Sequence, residues 1–274
     1  MKKILNWVLA AILICGASVF TACSSNDDNA ATPDLNLSEK IIGKWILAET
    51  NGKPTPTNHK YVITFASPTK GYLSASLKTY ADTEISAFWG DRQEVDVAIS
   101  GDMVKNTMVI NEHLTVVDDM KVTSITDSDT WGDLKISWIV DGTVIKTKEE
   151  SIRTVKVTDD CSQAILGLWE CQDITGGETN NDANARLEFL ADGSYNFYRK
   201  DDGGQWQAVT TREFQNYFVD GTLLATRWKN QGEEIAYEWW EISTVSGGQM
   251  QWNALRQNVD GSTFQQSVKW TKVN

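Results

Sequence analysis

Histidine is almost missing from this chain: His59 and His113 are the only two in 274 residues. Neither has a metal-ligating partner two or four positions on, and no Gly-x-Ser-x-Gly appears, so a His-centred triad or metal centre has little to build on. His59 lies in the loop 54–60 and reads as a solvated side chain. Basic charge is also short. Lysine and arginine number 25 against 37 acids, a net charge of −12. A surface of that sign repels phosphate backbones, which excludes nucleic acid as a partner. It equally disfavours adsorption to anionic lipid heads. Cysteine is scarce, with four in all. Past the first twenty-odd residues no apolar run approaches the roughly 20 residues that a membrane-spanning helix needs.

What is present begins at the N-terminus. Lys2-Lys3 is followed by an apolar stretch from Ile4 to about Phe20, interrupted by Asn6 and ending in small residues. Then comes Phe20-Thr21-Ala22-Cys23. This resembles a bacterial lipoprotein signal with its lipobox, with Phe20 where Leu is usual. The resemblance implies that residues 1–22 are removed and that Cys23 is lipidated with acyl chains such as palmitate. The alternative is an ordinary secretory signal cut after Ala22. Residues 23–37, with Ser24-Ser25-Asn26-Asp27-Asp28, are polar and form a flexible tether. Acids close behind the lipidated cysteine resemble the surface-export signal of Bacteroidetes lipoproteins. That implies the outer membrane and its cell-surface side, with the periplasmic face as the alternative. Loss of Lys2 and Lys3 leaves 23 basic groups against 37 acids.

The rest of the chain repeats itself. Ile41-Ile42-Gly43-Lys44-Trp45 returns as Ile165-Leu166-Gly167-Leu168-Trp169, and Ile63-Thr64-Phe65 as Leu187-Glu188-Phe189, both at a shift of 124. At the far end Arg153-Thr154-Val155-Lys156-Val157 matches Lys269-Trp270-Thr271-Lys272-Val273 at a shift of 116. Two units follow, 38–158 and 161–274. Their junction is short, so the units should touch. Within each, runs such as 61–66, 134–140, 186–190, 235–242 and 267–273 alternate as β-strands do. Asn51-Gly52, Asp141-Gly142, Asp192-Gly193, Asp220-Gly221 and Asp260-Gly261 are tight-turn signals between them. Serial hairpins make a meander, and a meander of short strands closes on itself to remove its edges. Only 37–42 and 162–166 read as helical, with Ser38 and Ser162 as caps.

A Gly-x-Trp on the first strand after a short helical turn resembles the opening of a lipocalin. Lipocalins also lay an Arg or Lys of the last strand across that Trp. The resemblance places Arg153 over Trp45 and Lys269 over Trp169, each closing one barrel end by a cation–π contact of about 0.5–2 kcal/mol. The expected fold class is therefore all-β: two tandem small antiparallel up-and-down (lipocalin-like) β-barrels. A pair of β-sandwich modules is the competing architecture. Both units are shorter than a usual lipocalin, so the cavity is expected to be small or filled by side chains.

Several residue sets could carry chemistry. Cys161 and Cys171 fall where the first repeat has Leu37 and Leu47, and in an oxidising compartment they are expected to form a structural disulfide. Asp118-Asp119, Asp127/Asp129/Asp133 and Asp201-Asp202 cluster; in 127–133 Trp131 breaks a calcium-loop pattern and a plain hairpin turn explains the acids better, while a glycosidase needs only two acids at a set distance, which sequence does not place in space. Tryptophan is plentiful, with twelve in all. Trp89, Trp131 and Trp206 neighbour Gly and Asp in apparent loops. Trp239 and Trp240 are adjacent and must face opposite ways on a strand. Such rings could stack on a ligand or glycan, or fill an interface. The expectation is a non-enzymatic, lipid-anchored envelope protein without metal or cofactor. It should bind a small apolar or amphipathic ligand inside a barrel. The alternative is a surface glycan-binding or accessory scaffold protein that uses exposed tryptophans.

Overall fold

The computed structural model describes residues 36–75, 92–176 and 184–273. Cys23 and Trp89 lie outside them, as do the signal and nearly all of the tether. A helical turn α1 (Leu37–Lys40) leads into nine strands of one antiparallel sheet. These are β1 (Gly43–Thr50), β2 (Lys53–Pro54), β3 (Tyr61–Ser67), β4 (Lys70–Ala75), β5 (Gln93–Ser100), β6 (Met103–Val109), β7 (Leu114–Ile125), β8 (Asp129–Val140) and β9 (Thr143–Lys156). From β3 to β9 each strand pairs with the next, and β9 returns to β1. With the two-residue β2 set aside, this is an eight-stranded up-and-down barrel with no open edge, as a lipocalin-like fold requires.

The second sheet repeats the plan with β10 (Gly167–Thr175), β11 (Ala185–Phe189), β12 (Tyr195–Lys200), β13 (Trp206–Ala208), β14 (Arg212–Asp220), β15 (Leu223–Asn230), β16 (Ile235–Ser246), β17 (Gln249–Gln257) and β18 (Thr263–Lys272). Here β10 pairs with β18, so the ends meet as in the first barrel. The seam lies between β12 and β14 instead, where a single bridge, Ser194 to Asn216, joins the edges. The short strand β13 pairs with β12 along that gap.

The turn chemistry follows the sequence. Asn51-Gly52 and Asp141-Gly142 have positive φ at both positions, which sets two-residue hairpins whose twist matches their strands. The caps differ from expectation. α1 starts at Asn36, itself left-handed, rather than at Ser38. Residues 162–165 form a turn, not a helix, and the Asp160 carboxylate accepts the Ser162 N–H at 3.0 Å. Asp is as good an acceptor for a free N–H as Ser and stands at the right distance upstream.

Each barrel has its own core, and the two differ in kind. The second is aromatic: Trp169, Phe189, Tyr195, Tyr217, Trp240, Trp252 and Trp270 are all buried together. Phe189 meets Tyr217 edge-on at 4.8 Å, and Trp252 meets Trp270 at 4.7 Å. The first is built on aliphatic and methionine side chains, with Trp45, Phe65 and Trp138 the buried aromatics.

The barrels pack side by side. Ile46 and Val62, on the outer faces of β1 and β3, meet Leu223 of β15 in a small third core. Around it, Lys44 and the Ser74 hydroxyl both donate to the buried Asp220 carboxylate, and Lys60 donates to Glu241 at 2.5 Å. A 3₁₀ turn, Thr57–His59, reaches across, where the Thr57 hydroxyl accepts the Leu255 N–H at 2.9 Å. The short junction therefore holds two units that touch.

Candidate functional site

The lumen of the first barrel is hollow. Lumen and mouth together form a cavity of about 820 Å³, lined mainly by apolar side chains: Ile41, Trp45 and Leu47 at the α1 end, then Phe65, Met108, Met120 and Leu134. Its mouth is flanked by the 3₁₀ turn with His59 and Lys60, and by Leu255, Gln257, Gly261, Ser262, Thr263 and Gln265 of the second barrel. Ligand pockets run from roughly 300 to 1,000 Å³, so this one is of working size. The second barrel offers only about 270 Å³ beside its seam, lined by Tyr195, Phe197, Arg199, Arg212, Glu238 and Trp228 among others.

The reason lies in residues at matching places. Thr154 on β9 corresponds to Trp270 on β18 by the 116-residue shift. Thr130 pairs with Thr154, while Met250 pairs with Trp270. Two small hydroxyl side chains face the first lumen where a tryptophan and a methionine fill the second.

Besides the two threonines, the hollow lumen has a charged level. Along β7 the inward residues are Leu114, Val116, Asp118, Met120 and Val122, a carboxylate in an otherwise apolar stripe. Asp118 lies opposite Asn106 of β6 and opposite Ile136 of β8, which in turn lies opposite Lys148 of β9. Glu150, two residues on, is buried and ion-paired to Lys148 at 2.5 Å. Asp118 Oδ1 and Asn106 Oδ1 are buried without a hydrogen-bond partner. Burial, and then the charges of Asp119 and Glu150, push the Asp118 carboxyl up to about 7. Burial also raises the Tyr61 phenol far above its usual range, with Asp118 and Glu150 adding to the effect.

The other predicted residues fall elsewhere. The cation over Trp45 is Lys156, at 5.2 Å, and the one over Trp169 is Lys272, at 5.3 Å. Arg153 and Lys269 were the expected partners, and the correction is one of strand parity. Trp45 lies opposite Lys156 and Trp169 opposite Lys272, so each pair shares the inner face. Arg153, three residues back, faces out. It bonds Asp129 at 2.9 Å and Glu49 at 2.7 Å, with Trp131 at 5.7 Å. Lys269 sits 3.9 Å from Asp173. Each closing Trp also donates its indole N–H to the helical turn before it, Trp45 to Ile41 at 2.7 Å and Trp169 to Ile165 at 2.6 Å.

Cys161 and Cys171 are two buried thiols in the second core rather than a disulfide. Leu37 and Leu47 hold the matching places in the first core. The pair thus replaces one apolar contact with another, as buried thiols do. Cys161 is held by its N–H to the Gly221 carbonyl at 3.0 Å, and burial raises its thiol above the usual range.

Trp131 and Trp206 lie on strands β8 and β13, not in loops, and both are half-buried. Arg186 stands 4.2 Å and Lys200 4.9 Å from the Trp206 ring. Trp239 and Trp240 do face opposite ways. Trp240 is in the second core with Arg256 at 4.3 Å, while Trp239 stacks on Tyr237 at 5.8 Å. The tryptophans do not converge on the lumen site, to which Trp45 and Trp138 contribute. Asp118 and Glu150 were missed as a pair because sequence gives their spacing, not their phase. The signal was the apolar alternation of 114–122, which an acid interrupts in the inward register.

No protein-family model and no curated protein matches the chain. Among solved structures it is similar to a double mutant of transferrin-binding protein B from Haemophilus parasuis Hp5, at 14% identity and a TM-score of 0.22. That match covers 85% of this chain and 44% of the other, so the chain spans less than half the length of that neighbour. A second similarity is to a protein described as a thioesterase II from Thermobifida fusca YX, at 9% identity and a TM-score of 0.14, over 58% of this chain and 73% of the other. Likenesses this distant carry no argument about function.

Proposed function

We propose that this chain is a non-enzymatic, lipid-anchored protein of the bacterial outer membrane that binds a small amphipathic ligand in its first barrel. The observation that carries the reading is the cavity of about 820 Å³ that runs from the mouth into a closed eight-stranded barrel, mainly apolar, with Asn106, Asp118, Lys148 and Glu150 among its polar lining. A closed meander lined by aliphatic side chains removes an alkyl chain or ring system from water, at about 25 cal/mol per Å² buried. The mouth admits the ligand past His59, Lys60 and the β17–β18 hairpin. The lipobox-like Phe20–Cys23 supports anchoring at Cys23, and Asp27-Asp28 supports the cell-surface side. The second barrel, filled by aromatics, acts in this reading as the wall that supports the mouth.

Native mass spectrometry of the protein taken from its own envelope tests this. A retained mass that is lost on denaturation is the expected result. A clean apo mass, with no uptake of apolar probes such as alkyl alcohols, would overturn it.

A further inference from the structure

Resting on that reading, we infer that the Asn106–Asp118 level of the first lumen is a head-group site, and that its ligand carries a hydrogen-bond-donating cation, a primary or secondary ammonium on an apolar tail. The argument is one of unmet acceptors and unbalanced charge. Asn106, 8% exposed, and Asp118 lie opposite each other on neighbouring strands and both line the lumen, and each holds one oxygen buried in the wall with no partner. Opposed residues on one face stand roughly 5 Å apart at Cβ, close enough for one ammonium to bridge the two side chains.

Charge chooses the sign of the head group. Glu150 has Lys148 as its counter-ion. Asp118 is left as the carboxylate in excess among the groups that face it, Tyr61 from β3 and Lys148 and Glu150 from β9, while the neighbouring Asp119 on the outer face adds further negative charge. Lys60, at the mouth, is held by Glu241. A carboxylate or phosphate head would meet like charge in a low-dielectric wall. An ammonium completes the set by a charge-assisted hydrogen bond. The apolar residues on both sides of Asp118, Val116 and Met120, take the tail.

The test compares dodecylamine, dodecanol and dodecanoate, below their micelle concentrations, by calorimetry at pH 8. Wild type should bind the amine at least about tenfold more tightly than the carboxylate. Asp118→Asn, near-isosteric, should bring the two within about twofold, and Asn106→Asp should widen the gap. The amine should weaken as pH falls through 7, and that dependence should vanish in Asp118→Asn. Equal or tighter binding of dodecanoate or dodecanol by wild type would overturn the head-group inference while the carrier reading stands. That comparison needs no variant to fold. Binding of none of the three would overturn both.

Discussion

Asp118 brings a carboxyl into a wall of Val116, Met120, Leu134 and Ile136, and its energetics follow from that position. Its pKa in the fold, about 7, lies above that of an unfolded aspartate. The proton is held more tightly by the folded state, so its stabilising effect is complete below about pH 4 and is lost as pH rises through 7. Asp118→Asn should therefore raise Tm at pH 8, by an amount worth up to about 4 kcal/mol, and change little at pH 4; thermal melts at the two pH values decide it. Lys156 makes a second case. Lys156→Met should cost about 0.5–2 kcal/mol and shift the emission of the buried Trp45, whereas Arg153→Met should leave that environment unchanged. Sequence found the right strand and the right chemistry for this contact but was three residues off. The two-residue period of a strand decides which side chain faces in, and a bulge between Leu47 and Glu49 resets the register there.

At the scale of elements, β9 and β18 show how one architecture gives a hollow and a filled barrel. Both strands close a sheet against the first strand of their repeat. They differ at Thr154 and Trp270. Thr154→Trp should narrow the α1 end of the first lumen and weaken uptake of long apolar probes, with the β-sheet circular dichroism signal retained; unchanged binding of the longest probes would place the ligand elsewhere. The alternating runs and Asp-Gly turns made the meander legible, because both are local signals. The open seam between β12 and β14 was not legible. Pairing across it depends on strands that meet only after the sheet has curled, and β13 occupies the place beside β12.

At the scale of the molecule, the two barrels share a small apolar patch framed by ion pairs. Gly221 sits at its centre with φ +61°, and an added Cβ would come within 2.6 Å of Val157 Cγ1 and 3.2 Å of Lys44 Cδ. Gly221→Ala should destabilise the chain by about 1–3 kcal/mol, from the left-handed backbone and from overpacking. Because the contact joins the barrels, calorimetry should show their unfolding separate into two transitions, where wild type should unfold in one. Retention of a single unshifted transition would mean that the interface does not couple them. The acid that anchors this contact, Asp220, read in the sequence only as half of a turn signal. Its partners Lys44 and Ser74 are 176 and 146 residues away, a distance that no local pattern spans.

Sequence alone determined the all-β class, the duplication, the Gly-x-Trp closure of each barrel and the scarcity of histidine. All of these rest on local pattern: alternation, turn residues, composition and repeated spacing. Only the tertiary structure decided that the first barrel is hollow and the second filled, that Cys161 and Cys171 are packing side chains, that Lys156 and Lys272 are the closing cations, and that Asp118 meets Asn106 inside a lumen. Each of these depends on register and on side-chain volume summed around a closed wall, and those quantities exist only once distant strands have met.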